Sequence, residues 1–465
     1  MILKKIKNSF DLKVVLILLF LLFLFLFSNS VITTSNLSVK FISLIIFSIC
    51  CIPILFHYLD NNKETIPLFH LSILFYGVMF SLPSFLSVEY LSKFYTALYT
   101  KESIFNINQD FFFRNIFFVL VFLFFYFFGY FLVNSFFQKK FLFELQFLKK
   151  IKLKKILFLA FVFFFIKFFS FFFPILKSLP SINQTLIPLG YFSFAFFYFY
   201  LMKENSIFII KLLIIVCMFL IFFGEIISSN SLMYSLNCLM IIMIIYYIFK
   251  RKIPWLFLIF FIFIIIISPL KNILREGNLY HYKTNNIQQL KEVKSIKSIK
   301  EVNSNAGMAR ALNTYFIYHF VLLKVPKEYP YIKETTYSHL LTSLIPRVLW
   351  KSKPSSEVGR EFSIKYEFNP KGNTTSINLP WVAELYLNFS FFGLFFGMFL
   401  IGIFIAILTK LVSVPKNNYI QYISGLVVVA PLILPESNFA LMVGGIIPQY
   451  IFLIIVFYIY LKIFK

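Results

Sequence analysis

The sequence predicts an all-α polytopic membrane protein: about twelve transmembrane helices, with one long, partly helical external loop between the ninth and the tenth. Three observations predict it. Of 465 residues, 60% are hydrophobic, 21% aromatic and only 14% charged, which leaves more apolar surface than a polar shell can cover. Apolar runs near the ~20 residues needed to cross a hydrocarbon core recur along the whole chain. Most lysines fall in the short connections between those runs, so the formal charge of +25 follows topology rather than a nucleic-acid surface. The composition excludes a soluble enzyme, a nucleic-acid-binding domain and a secreted disulfide scaffold.

Taken in order, the spans lie near 13–33, 39–56, 66–86, 115–137, 156–176, 184–202, 206–224, 231–249, 254–270, 388–409, 418–434 and 446–463. The first follows Lys4, Lys5 and Lys7 and lacks a small-residue cleavage site, so it reads as a retained anchor. Placing the N-terminus in the cytoplasm puts Lys139–Lys140, Lys149–Lys155, Lys250–Lys252 and Lys410–Lys416 inside, together with the C-terminus. The run QKKFLFELQFLKKIKLKK (138–155) reads as an interfacial segment held by anionic lipid. The chain thus divides into residues 1–270 with spans one to nine, a long outer loop 271–387, and residues 388–465 with the last three spans. No internal repeat is visible, and no pair of interrupted spans marks an inverted-repeat transporter. The four cysteines, Cys50, Cys51, Cys217 and Cys238, sit in apolar segments and read as small core hydrophobes.

The long loop opens on NIQQLKEVKSIKSIKEVNS (285–303), where apolar and Lys residues recur every third position. That period keeps no single helical face apolar, so the segment reads either as solvated chain or as a headgroup-binding helix. ALNTYFIYHFVLL (311–323) is too short to span and reads as a re-entrant or interfacial helix. Arg310 stands at its start, and His319 within it is most simply a packed histidine. Further on, Pro346 and Pro354 bracket Arg347, Trp350, Lys351 and Lys353, which makes a shaped turn rather than a helix. Trp350 and Trp381 suit the membrane–water interface.

Arginine is scarce. The six are Arg114, Arg251, Arg275, Arg310, Arg347 and Arg360, among 44 Lys and Arg, and all but Arg251 fall at or outside the outer surface. A guanidinium fork suits phosphate better than a lysine point charge does, so the pattern points to a phosphate-bearing lipid at the outer leaflet. Snorkelling to ordinary headgroups is the simpler alternative for any one of them. Glu384, near the start of the span opened by WVAELYLNFS, is the first candidate to take a proton from an attacking hydroxyl, with Glu361 and His339 competing. It is equally comfortable there as a carboxylate at a helix N-terminus. The loop holds no Asp, and the one external Asp, Asp110, has no second carboxylate beside it, so no metal-holding Asp pair is present. Lys167, near the middle of its span, is a functional candidate or a lysine paired with a headgroup or carbonyl.

At 337–402 the chain resembles the Wzy-type oligosaccharide repeat-unit polymerases of bacterial O-antigen, capsule and exopolysaccharide pathways. The residues that carry the resemblance are Ile345-Pro346-Arg347, Leu349-Trp350, Lys353-Pro354 and Gly359-Arg360. Ala383-Glu384-Leu385-Tyr386-Leu387-Asn388-Phe389 follows, with Gly393 and Gly397 after it. The plan of spans with one late external loop is similar too. The resemblance implies a metal-independent, cofactor-free glycosyltransferase at the periplasmic face of the bacterial inner membrane. It would transfer a growing glycan from undecaprenyl diphosphate to a new lipid-linked unit, alongside membrane lipids and a chain-length regulator protein and with no nucleic acid. On that reading Arg347 and Arg360, with Arg310, Arg275 and Lys353, bind the departing diphosphate, and Glu384 or His339 activates the acceptor hydroxyl. An O-antigen ligase shares the plan, and a flippase of the lipid-linked oligosaccharide is a third alternative.

Overall fold

The computed structural model describes residues 37–59, 66–85, 109–136, 145–173, 180–204, 206–229, 232–250, 309–332, 336–343, 345, 350, 352–353, 358–368, 376–413 and 418–463. Among them all regular structure is helical, as it must be where lipid offers the backbone no hydrogen-bond partner. The helices are α1 Leu37–Leu59, α2 Leu68–Ser81, α3 Gln109–Phe136, α4 Leu153–Phe172, α5 Pro180–Lys203, α6 Phe208–Ser229 and α7 Leu232–Lys250. After these come α8 Ala309–Lys324, α9 Ser338–Ser343, α10 Val358–Lys365, α11 Trp381–Val412, α12 Tyr419–Val429, α13 Phe439–Gly444 and α14 Ile446–Ile463. The expected spans 13–33 and 254–270 and the Lys-rich run 285–303 lie outside the described residues.

Among the described residues five stretches are long and apolar enough to cross a membrane: Val39–Tyr58, Arg114–Phe136, Leu153–Phe172, Trp381–Val412 and Phe439–Ile463. Four shorter apolar helices accompany them among the described residues, Leu68–Ser81 and Tyr419–Ile433 included. The protein is a helical membrane protein. Its outward faces carry bulky apolar side chains, such as Phe117, Phe124 and Phe131 on α3 and Phe208, Leu212 and Phe219 on α6. All four cysteines are free and buried.

The largest helix pair is α3 with α11. Phenylalanines meet across it at successive levels: Phe118 with Phe391 (4.7 Å between ring centroids), Phe125 with Phe395 (5.9 Å) and Phe128 with Phe399 (5.6 Å). Below them the backbones touch. A Cβ on Gly129 would strike the Phe399 carbonyl, and one on Gly402 would strike the Tyr126 carbonyl. Such small-residue crossings replace the hydrophobic drive that lipid does not supply.

Hydrogen bonds sort the helix ends onto two sides. On one side Ile66 N–H donates to Ser413 Oγ (3.0 Å), Leu145 N–H to Gln421 Oε1 (2.9 Å), and Asn418 Nδ2 to the Leu145 carbonyl (3.1 Å). Lys203 lies over the Tyr419 ring there at 4.9 Å. Exposed Lys149, Lys152, Lys154 and Lys250 belong to the same side. On the other side Ser84 Oγ donates to Tyr315 Oη (3.3 Å) and Tyr318 Oη to the Asn115 carbonyl (3.2 Å). Glu384 and helices α8 to α10 gather at that second side.

Helix α11 starts at Trp381, in the WVAELYLNFS segment expected to open the span: Pro380 sits extended at its N-cap, and Glu384 N–H makes the first helical bond to the Pro380 carbonyl (2.9 Å). One expectation is corrected. Lys167 lies not mid-span but near the C-terminal end of α4, where it is 4% exposed, with its ammonium 5.1 Å from the Phe171 ring centroid. It faces the bundle rather than lipid.

Candidate functional site

Helix α11 is two helices. Ser390 interrupts it at φ 60°, ψ −157°, a backbone region that a side chain makes costly. Its hydroxyl accepts a hydrogen bond from Tyr331 (3.0 Å), and Ile332 N–H reaches the Leu387 carbonyl (3.0 Å) just before the break. The nine residues Trp381–Phe389 thereby form a short outer segment that carries the polar groups, and the long apolar part follows.

Glu384 is the centre of that segment. It is fully buried, and both carboxylate oxygens are met: Thr336 Oγ1 donates to Oε1 at 2.5 Å and the Phe439 N–H to Oε2 at 2.7 Å. A buried carboxylate needs such donors, since an unsolvated charge without them is very costly. Asn388, one turn along, completes the network. Its Oδ1 accepts from Thr336 N–H (2.9 Å), while its Nδ2 donates to Thr336 Oγ1 (3.1 Å) and to the Glu384 carbonyl (2.8 Å). Three segments distant in sequence are so joined: the connection at Thr336, the start of α11 and the start of α13. Tyr337 packs its ring 5.8 Å from both Phe389 and Phe439. Burial pushes its hydroxyl well above the usual phenol range, and the nearby Glu384 carboxylate adds to the effect, as does the Tyr76 hydroxyl.

Burial shuts Glu384 off from both solvent and lipid. As the chain stands, no acceptor hydroxyl reaches the carboxylate unless Thr336 gives way. Trp381, expected at the interface, is also fully buried, with its ring edge-on to Phe439 (5.1 Å) and no hydrogen-bond partner for Nε1 among the described residues. The cause is the same: α13 and the Thr336 connection lie over the first turn of α11.

His339 is half-buried on α9, and its N–H donates to the Thr336 carbonyl (3.2 Å). Its Nδ1 is enclosed and has no partner among the described residues. Helix α9 seats on α13 where Gly444 faces Ser343; a Cβ on that glycine would lie 2.6 Å from the Ser343 Cβ. Arg360 is half-buried on α10. That helix is tied to the approach to α11 by Ile377 N–H donating to the Gly359 carbonyl (3.3 Å). Lys353 Nζ donates to the Ile345 carbonyl (2.9 Å) and its N–H to the Trp350 carbonyl (3.2 Å); the rest of the expected turn between Pro346 and Pro354 lies outside the described residues. Glu361 is exposed. Arg347 and Arg275 lie outside the described residues, as does the Arg310 side chain at the start of α8. The structure thus joins Glu384 and His339 through Thr336, and links Arg360 to α11 through a short connection.

His319 is a packed histidine. It is 1% exposed on α8, its Nδ1 pairs with the Tyr315 carbonyl (2.9 Å), and burial pulls its imidazole down to about 4. Among the described residues no group of three or more His, Cys, Asp or Glu is placed to hold a metal ion.

The sequence reading gave no role to Thr336, Asn388 or Asn438. Glu384 and Asn388 stand four apart and share a helical face, a legible signal; the pairing with Thr336 and Phe439 N–H is set by tertiary contact alone. Comparisons with protein-family models, curated proteins and solved structures give no match to this chain.

Proposed function

We propose that this protein is a polymerase of lipid-linked oligosaccharide repeat units, working at the outer face of a bacterial inner membrane. The growing glycan passes from its undecaprenyl diphosphate carrier to a hydroxyl of the next lipid-linked unit. The acceptor oxygen bonds to the anomeric carbon, the bond from that carbon to the diphosphate breaks, and the hydroxyl proton leaves to a base. Arg360 and Arg347, with Arg310, Arg275 and Lys353, stabilise the departing diphosphate, and His339 or Glu384 takes the proton. About twelve spans, cytoplasmic termini and an outer loop 271–387 belong to this reading, as does a chain-length regulator as partner.

One observation carries it beyond the sequence resemblance. Glu384 and Asn388, both within the resembling stretch, join Thr336 in one polar network on the side of the bundle opposite the exposed lysines. Positive charge favours the cytoplasmic side, which leaves the network outside.

The experiment is deletion of the gene followed by analysis of lipid-linked glycans. A polymerase leaves a single repeat unit where the parent makes a ladder of lengths; a ligase mutant still accumulates lipid-linked polymer, and a flippase mutant traps the unit inside. Arg347→Lys and Arg360→Lys keep the charge and lose the fork, and each is expected to remove the ladder.

A further inference from the structure

Thr336 treats Glu384 as a sugar hydroxyl would: its Oγ1 donates to the carboxylate (2.5 Å) and accepts from an amide, Asn388 Nδ2 (3.1 Å). On the three segments that meet there, three polar atoms are enclosed with no hydrogen-bond partner among the described residues: Trp381 Nε1, Asn438 Nδ2 and His339 Nδ1. Trp381 and Asn438 are 0% and 3% exposed. Trp381 stands one turn before Glu384, and both meet Phe439, by ring contact and by its N–H. Asn438 immediately precedes that amide. His339 hangs from the Thr336 carbonyl through its own N–H (3.2 Å). Buried polar atoms left unpaired are costly, so three of them on the segments joined through one carboxylate favour a hydrogen-bonding ligand at that junction.

We infer that Glu384, Asn388, Trp381, Asn438 and His339 form a sugar subsite in which the Thr336 hydroxyl stands in for a hydroxyl of the bound glycan. A pyranose supplies both halves of the match: hydroxyl protons for the carboxylate, and oxygens for the indole and amide donors. Phosphate fits worse, because the groups gathered there are neutral hydrogen-bonding ones and no Lys or Arg bonds to Glu384 among the described residues. The place taken by Thr336 can be vacated, since none of the six residues of α9, which follows it, is buried. The inference rests on the polymerase reading for the identity of the glycan, as part of the lipid-linked unit, but the site is testable without any transfer.

The full-length protein in detergent, with Trp255→Phe and Trp350→Phe, keeps Trp381 as its single indole. Its fluorescence is followed while methyl glycosides of glucose, galactose and N-acetylglucosamine are titrated, with inorganic pyrophosphate as a separate arm. A saturable response to a glycoside is expected, tightened about fivefold in Thr336→Ala, the factor one neutral hydrogen bond is worth, and weakened at least as much in Asn438→Leu. No saturable glycoside response in either the parent or Thr336→Ala overturns the subsite, as does a response to pyrophosphate alone. Equal or weaker glycoside binding in Thr336→Ala than in the parent also overturns it, and that comparison decides even if Asn438→Leu does not fold. Glycoside binding in a chain whose deletion leaves the ladder intact keeps the subsite and loses the polymerase. A lost ladder with a silent Trp381 does the reverse.

Discussion

The two parts of α11 on either side of Ser390 are built by opposite rules. The inner part packs on α3 through ring-on-ring contacts and two glycines that bring backbones together. Its specificity is one of shape. The outer part, Trp381–Phe389, holds its neighbours through directed hydrogen bonds from Glu384 and Asn388. Shape tolerates no added volume but is indifferent to pH and to isosteric changes, whereas a polar network tolerates volume and fails when one partner goes. One helix thus carries a packing wall and a polar network, and the break is where it changes from one to the other.

Substitutions that respect one rule and violate the other test this contrast. The largest effect is expected from Gly402→Leu, which drives a side chain into the Tyr126 carbonyl; it should cost about 3 kcal/mol or more and sharply lower the yield of folded protein in detergent. A leucine placed instead at an outward-facing position, as in Phe392→Leu, should be nearly silent in thermal unfolding. Glu384→Ala comes next. It leaves the Phe439 N–H and the Thr336 hydroxyl without an acceptor, for a loss of about 2 to 3 kcal/mol in the same assay.

Acid comes third. His319 holds its imidazole neutral, with a native pKa of about 4 against an unfolded value near 6.5. Its contribution is therefore fully present above pH 6.5 and is lost as pH falls below it. Going from pH 7 to pH 5 should cost about 2 kcal/mol, read as a drop in unfolding temperature that His319→Phe largely removes. The smallest effects belong to Asn388→Leu and Thr336→Val, at about 1 kcal/mol each. Because they share one hydrogen-bonded pair, the double variant should cost less than their sum, and additivity would show that the network is not a unit.

Much of the bundle was legible from residue type alone. The apolar run at 115–137 coincides with the span Arg114–Phe136 of α3, and the runs at 156–176 and 446–463 coincide with α4 and α14 to within a few residues, because a lipid-buried backbone has one way to satisfy itself. Hydropathy marked the long apolar part of α11 from 388, while the helix itself starts earlier, at the proline cap, and breaks at Ser390. Glu384 was visible as a carboxylate at a helix start, but its burial was not, since it depends on Thr336 and Phe439 arriving from 48 and 55 residues away. The same holds for Trp381, whose ring type suits an interface and whose position is beneath α13. Lysine placement, by contrast, anticipated which helix ends share a side.

The strained residue at position 390 has an evolutionary consequence. A helix without interruption transmits any tilt or register change along its whole length, so altering the outer turns would disturb the glycine contacts beneath. A seam at Ser390 uncouples the two layers. Nine residues and their partners can then be redrawn while the scaffold in the bilayer keeps its register.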